Sequence, residues 1–186
     1  MTRWMRYAMD FAVLGVVYIL WLYPRWKRRS RAQLAANTLL YLYLTGVLYV
    51  TLMPVLTSLL RCFDHPYVPM QMTPFVDVIH GRGDYRRQIV LNIVMTVPFG
   101  LLLPLCRRCA GKRCGLGHCL LLTAALSLGI ELLQPLINAA RSADITDLIT
   151  NAVGGAVGYS GYVLLRPVWR RWLPEGRRRD GSHPGR

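Results

Sequence analysis

A chain of 186 residues suits a single domain, and 53% of these residues are hydrophobic. Only 17% are charged, against about 25% in soluble proteins, which argues against a water-soluble domain and for the membrane class. The formal charge of +14 would fit nucleic acid, but the basic residues flank hydrophobic segments, the pattern of cytoplasmic loops against anionic lipid. Membrane lipids are the expected partner, and nucleic acid is not.

The first hydrophobic window runs from about Tyr7 to Tyr23. Arg3 and Arg6 precede it as they would in a secretory leader, but no small-x-small cleavage site follows. Instead come Arg25, Lys27, Arg28, Arg29 and Arg31. Residues 1–33 therefore read as a retained membrane anchor with its basic loop. A second window, about Leu34 to Leu60, has Pro54 near its end. The long loop after it carries Asp64, His65, Asp77, His80 and Asp84. Its tripeptide Arg82-Gly83-Asp84 spells an adhesion motif, which three residues produce by chance.

The third window spans about Gln88 to Leu105, and Pro98 and Gly100 within it predict a break lining a cavity or a simple bend. Beyond it Cys106, Cys109, Cys114 and Cys119 cluster with His118. Cys106 and Cys109 have the C-x-x-C spacing of a zinc site, yet no second such pair exists. The cluster reads as thiols at a membrane-facing loop, and no metal or cofactor is expected. A fourth window, about Cys119 to Ile137, holds Glu131 and Gln134 on one helix face. The run "RSADITDLITNAVGG" then leads into a fifth, about Leu148 to Leu165. Gly154, Gly155, Gly158 and Gly161 along it are the small residues that let membrane helices approach closely. Residues 166–186, rich in Arg, Gly and Pro, read as a disordered basic tail. The fold class expected is an all-α polytopic transmembrane helix bundle of about five spans.

Counting Lys and Arg on alternate sides of these spans gives seven on one side and sixteen on the other. The richer side belongs in the cytoplasm, so the N-terminus is expected outside and the C-terminus inside. Asn92, Glu131 and Asn151 then lie about 6, 9 and 6 Å below the outer ends of their helices, at about 1.5 Å per residue. Asp10, early in the first span, lies on the same side. If helical, Asp144, Asp147 and Asn151 share one face at i, i+3, i+7. Ionisable groups at membrane depth are costly and mark function by default. The candidate ligand-binding residues are Asn92, Glu131, Gln134, Arg141, Asp144, Asp147 and Asn151. Arg141 would hold an anionic group, and Asp144 and Asp147 a cationic or hydroxyl-rich one, with the remainder as the pocket floor.

Plainer roles compete with these. Glu131 paired with Arg141 would serve as glue between helices, and Asp144 suits a helix N-cap. As catalytic candidates, Glu131 and Asp144 could act as general acid or base. No Ser–His–Asp order, H-E-x-x-H or phosphate loop accompanies them. A transporter is disfavoured by about five spans without an internal repeat.

Four segments carry a resemblance: Thr73–Phe75 ("TPF"), Leu91–Pro104, Ser127–Gln134 and Arg141–Tyr159. They combine an Asn-then-Pro-x-Gly helix, a Glu-x-x-Gln helix, and Arg-x-x-Asp-x-x-Asp-x-x-x-Asn followed by glycine. In this order and spacing, over about half the chain, they resemble the VanZ-like family. Residues 34–165 would form that transmembrane domain. The resemblance implies an accessory membrane protein of resistance to teicoplanin and related lipidated glycopeptides, or an envelope role. The partner it suggests is a lipidated glycopeptide, a lipid-linked wall precursor or a lipid head group. A membrane-embedded enzyme acting on such a substrate is the alternative.

Overall fold

The computed structural model describes residues 2–59, 66–81, 83–138 and 142–172. α1 (Arg3–Val17) starts at Thr2, whose hydroxyl accepts from the Met5 N–H. It runs through a π turn at Tyr18–Leu22 directly into α2 (Tyr23–Trp26). α3 (Arg31–Thr51) starts on Ser30, whose hydroxyl caps the Gln33 N–H at 3.1 Å. The remaining helices are α4 (Val55–Leu59), α5 (Val76–His80), α6 (Tyr85–Cys109), α7 (Leu116–Ile137), α8 (Ile145–Leu164) and α9 (Arg166–Trp172). Among the described residues there is no strand, only one isolated bridge between Gln71 and Asp144. The protein is an all-α helical bundle.

Among the described residues four helices are long and apolar enough to cross a membrane: Arg3–Trp26, Arg31–Thr51, Tyr85–Cys109 and Leu116–Ile137. α8 has 20 residues and is about 30 Å long, enough to span. Asp147, Asn151 and its glycines dilute its hydropathy. Its burial against α6 and α7 makes it the centre of the bundle. Polar side chains turn inward and apolar ones outward: Thr123, Ser127, Glu131 and Asn151 are buried, while Val94, Leu121, Val153 and Val157 are exposed. That inversion fits a hydrocarbon surround, where polar groups must find partners inside the protein.

Three expectations about the elements change. The basic tail opens with a helix, α9, where disorder was expected, and its residues 173–186 lie outside the described residues. The second helix ends at Thr51, and Val55–Leu59 forms a separate turn beyond Pro54. Asp10 holds that turn, accepting from the Val55 and Leu56 N–H groups at 2.6 and 3.1 Å. Asp10 is 4% exposed, so its carboxylate serves α4 and takes no part in the cavity below. The third helix is not broken: α6 continues past both Pro98 and Pro104. Pro104 has no N–H to offer the Gly100 carbonyl. The Cys119 thiol contacts that carbonyl at 3.7 Å in its place.

The α8 glycines explain how tightly α6 and α8 pack. A Cβ on Gly158 would run into the Val97 carbonyl oxygen and meet Gly100 Cα at 2.9 Å. One on Gly154 would strike Thr96 Oγ1 and the Ile93 carbonyl, and one on Gly155 would meet Thr123 of α7 at 2.6 Å. Gly161 differs: its nearest neighbour would be Leu101 Cδ1 at 3.8 Å, so it is not part of the close seam. α3 joins through Tyr43, whose hydroxyl donates to the Met95 carbonyl at 2.6 Å. α1 lies outermost, tied to α3 by Tyr41 O–H to the Leu14 carbonyl at 2.7 Å.

Candidate functional site

The first turn of α6, the last turns of α7 and the first turn of α8 meet at one end of the bundle. The chain re-enters there under firm control. Glu131 Oε2 accepts the Asp144 backbone N–H at 3.0 Å, tying the α7–α8 connection to α7. Asp144 itself is extended (φ −130°, ψ 130°), and its Oδ1 accepts the Thr146 N–H at 2.7 Å. It is therefore the N-cap of α8, outside the helix. The shared face proposed for Asp144, Asp147 and Asn151 reduces to Asp147 and Asn151, because capping requires a non-helical backbone at Asp144.

A strap from the long second loop covers this junction. Gln71 N–H donates to the Ala143 carbonyl at 2.8 Å, and Ile145 N–H donates to the Gln71 carbonyl at 3.0 Å. Phe75 N–H donates to Thr146 Oγ1 at 2.9 Å. Phe75 has φ +58°, a left-handed conformation that costs an L-residue about 1–2 kcal/mol and must be held by its surroundings. Asp147, in the first turn of α8, receives both contacts of the Gln88 amide at 3.0 Å. Deeper in, Asn151 donates to Ser127 Oγ at 2.8 Å, and its carbonyl accepts Thr96 O–H at 2.8 Å. One asparagine thus joins α6, α7 and α8. Asn92 Nδ2 and Asn151 Oδ1 are buried and have no hydrogen-bond partner among the described residues.

These groups border a cavity of about 920 Å³, within the roughly 300–1,000 Å³ range of small-molecule sites. Its walls are unlike each other. Asp84, Arg87, Gln88, Asn92, Glu131, Gln134, Asp147 and Asn151 make the polar wall. Gly46, Val47, Val50, Leu91, Val94, Met95 and Ile130, largely from α3 and α6, make the apolar wall. Five sequence-level candidates therefore line one space: Asn92, Glu131, Gln134, Asp147 and Asn151. Asp144 does not; it borders a small separate recess with Phe75, Asp77 and Tyr85. Arg141, Asp64 and His65 lie outside the described residues.

Sequence reasoning missed Arg87 and Gln88 as site residues, the first read as a basic loop residue and the second as the start of the third apolar window. The signal was present. Asp84, Arg87, Gln88, Leu91, Asn92, Met95 and Pro98 repeat at intervals of three and four, one face of a helix. Extending α6 by one turn toward its N-terminus from Asn92 would have brought them in.

The described cysteines occupy the opposite end. Cys106, Cys109, Cys114 and Cys119 are free thiols, three of them buried. Cys106 Sγ donates to the Ala36 carbonyl at 3.2 Å. In the α6–α7 loop, burial pushes the Cys114 thiol up, opposed by the charge of Arg107. Among the described residues no three His, Cys, Asp or Glu side chains come together as metal ligands.

The VanZ/LLP1 family model matches residues 40–166, which contain every residue that lines the cavity. Over 132 residues the chain is 32% identical to Protein VanZ of Enterococcus faecium, covering 71% of this chain and 76% of that protein. No solved structure matches the chain.

Proposed function

The chain, a multi-pass membrane protein, belongs to the VanZ/LLP1 family, and from that premise we propose that its cavity binds an amphipathic or lipid-linked ligand. In this reading it contributes to tolerance of lipidated glycopeptides such as teicoplanin, or to envelope homeostasis. The observation that carries it is the two-sided cavity: a wall of Asn92, Glu131, Gln134, Asp147 and Asn151 faces a wall of aliphatic side chains. A polar head and a hydrocarbon tail match that division. Arg141, the residue that precedes Ser142 in the sequence, would supply a cation for an anionic head.

The cavity faces the outside if the positive-inside rule holds. A reporter fused after Arg186 is then expected to work only in the cytoplasm; an extracytoplasmic signal there would turn the site inward and remove it from wall-active ligands. For the function itself, the chain is expressed in a glycopeptide-susceptible host. Tolerance of teicoplanin should rise over the empty vector, with a smaller rise for a glycopeptide lacking an acyl chain. No rise for either would contradict the resistance role.

One observation favours a second reading. Glu131 is a carboxylate 2% exposed on the wall of the cavity, the setting in which an acid/base group acts on a bound substrate. Asp144, the other candidate, is committed to capping α8. An enzyme acting on a lipid-linked envelope substrate would therefore use Glu131.

A further inference from the structure

Asp84, the residue that precedes α6, and Arg87, in its first turn, carry opposite charges, and both line the cavity. Among the described residues neither side chain makes a hydrogen bond or ion pair with another protein group. The other carboxylates on this wall are engaged. Glu131 accepts the Asp144 N–H, and Asp147 accepts both contacts of the Gln88 amide. The two free charges sit at the exposed end of the space, and Val50, Leu91 and Val94 continue from them as an apolar wall.

We propose that the cavity selects a zwitterionic amphiphile, an acyl-chain molecule whose head carries an anion and a neighbouring primary ammonium. This rests on the amphiphile reading above and names its head group. Arg87 takes the anion, since a guanidinium offers a planar pair of donors to phosphate or carboxylate oxygens. Asp84 takes the ammonium. The two opposite charges lie at the start of one helix and border one space, an arrangement that suits a phosphate joined to an amine through a short linker. The hydrocarbon tail lies along Val47, Val50 and Val94. A purely anionic lipid would satisfy Arg87 and leave Asp84 facing its like charge.

The test uses the full-length protein, delipidated in detergent and titrated with phosphatidylethanolamine or phosphatidylglycerol bearing the same chains, with bound lipid counted by native mass spectrometry. Wild type should retain phosphatidylethanolamine about tenfold more strongly, the scale of one charged hydrogen bond. Asp84→Asn should erase that preference without weakening phosphatidylglycerol. Arg87→Gln should weaken both lipids about tenfold, while Arg86→Gln, off the cavity wall, should change neither. Gly46→Phe separates two failures: Gly46 lines the cavity with no atom within 4 Å of its Cβ position, so phenylalanine there should block retention of both lipids. If it blocks retention but Asp84→Asn leaves the preference intact, the head-group inference is wrong and the amphiphile site stands. If Gly46→Phe blocks nothing, the cavity is not the amphiphile site, and both readings fall.

Discussion

Gly158→Leu is expected to prevent stable assembly of the bundle. The added side chain would have to occupy the place of the Val97 carbonyl and Gly100 Cα, both backbone atoms of α6. Backbone cannot rotate away as a flexible side chain can. Overpacking a close-packed site costs about 1–3 kcal/mol and occasionally more, and this site belongs at or above the top of that range. For a chain of this size the upper value lowers Tm by about 6–12 °C. Folded yield in detergent should fall sharply, and Gly158→Ala should already cost stability, because the clash begins at Cβ. Gly161→Ala, on the same helix, should be tolerated, since only Leu101 Cδ1 lies near, at 3.8 Å. Equal Tm values for Gly158→Leu and Gly161→Ala would show that α6 and α8 do not pack through Gly158.

Glu131→Ala is expected to abolish function with a moderate loss of stability. It removes the carboxylate from the cavity wall and leaves the Asp144 N–H without the oxygen it now meets at 3.0 Å. A fully buried N–H deprived of its acceptor costs about 1–3 kcal/mol, and this part-buried one belongs at the lower end of that range. Glutamine at this position keeps an oxygen for the Asp144 N–H but cannot exchange a proton as a carboxylate does. Glu131→Gln therefore separates the two functional readings. If the cavity only binds, the glutamine variant should keep a good part of the teicoplanin tolerance while the alanine variant falls to the empty-vector level. If Glu131 is an acid/base catalyst, both should be equally inactive at equal membrane abundance. Wild-type tolerance in the alanine variant would remove Glu131 from either mechanism.

The helices were legible because each long apolar run needs about 20 residues to cross hydrocarbon, and the chain supplies them between basic loops. Their ends were less so. Pro54 marked an end, but only the structure shows α3 stopping at Thr51 and Val55–Leu59 forming a turn held by Asp10. That partnership joins residues 45 apart in sequence, and periodicity within a helix says nothing of it. Gln88 with Asp147, 59 residues apart, was hidden for the same reason. Asn92, Glu131, Gln134, Asp147 and Asn151 were legible as a group because each is a polar exception within an apolar run. Asp144 belonged to two local patterns, a stripe and a cap. The cap prevailed, since the first N–H groups of α8 lack partners and a buried unpaired N–H is costly. Arg87 looked like a topology signal, and basic residues beside a membrane span carry that meaning so often that a site role is masked.

The central claim is that the space between α3, α6, α7 and α8 holds an amphiphile, and a cryo-electron microscopy map of the protein in bilayer nanodiscs tests it most directly. The predicted result is elongated density inside the cavity, with its head beside Arg87 and Glu131 and its tail along Val50 and Val94. Lipid density confined to the outer faces of α1 and α7, with the cavity collapsed or filled only by water, would contradict it.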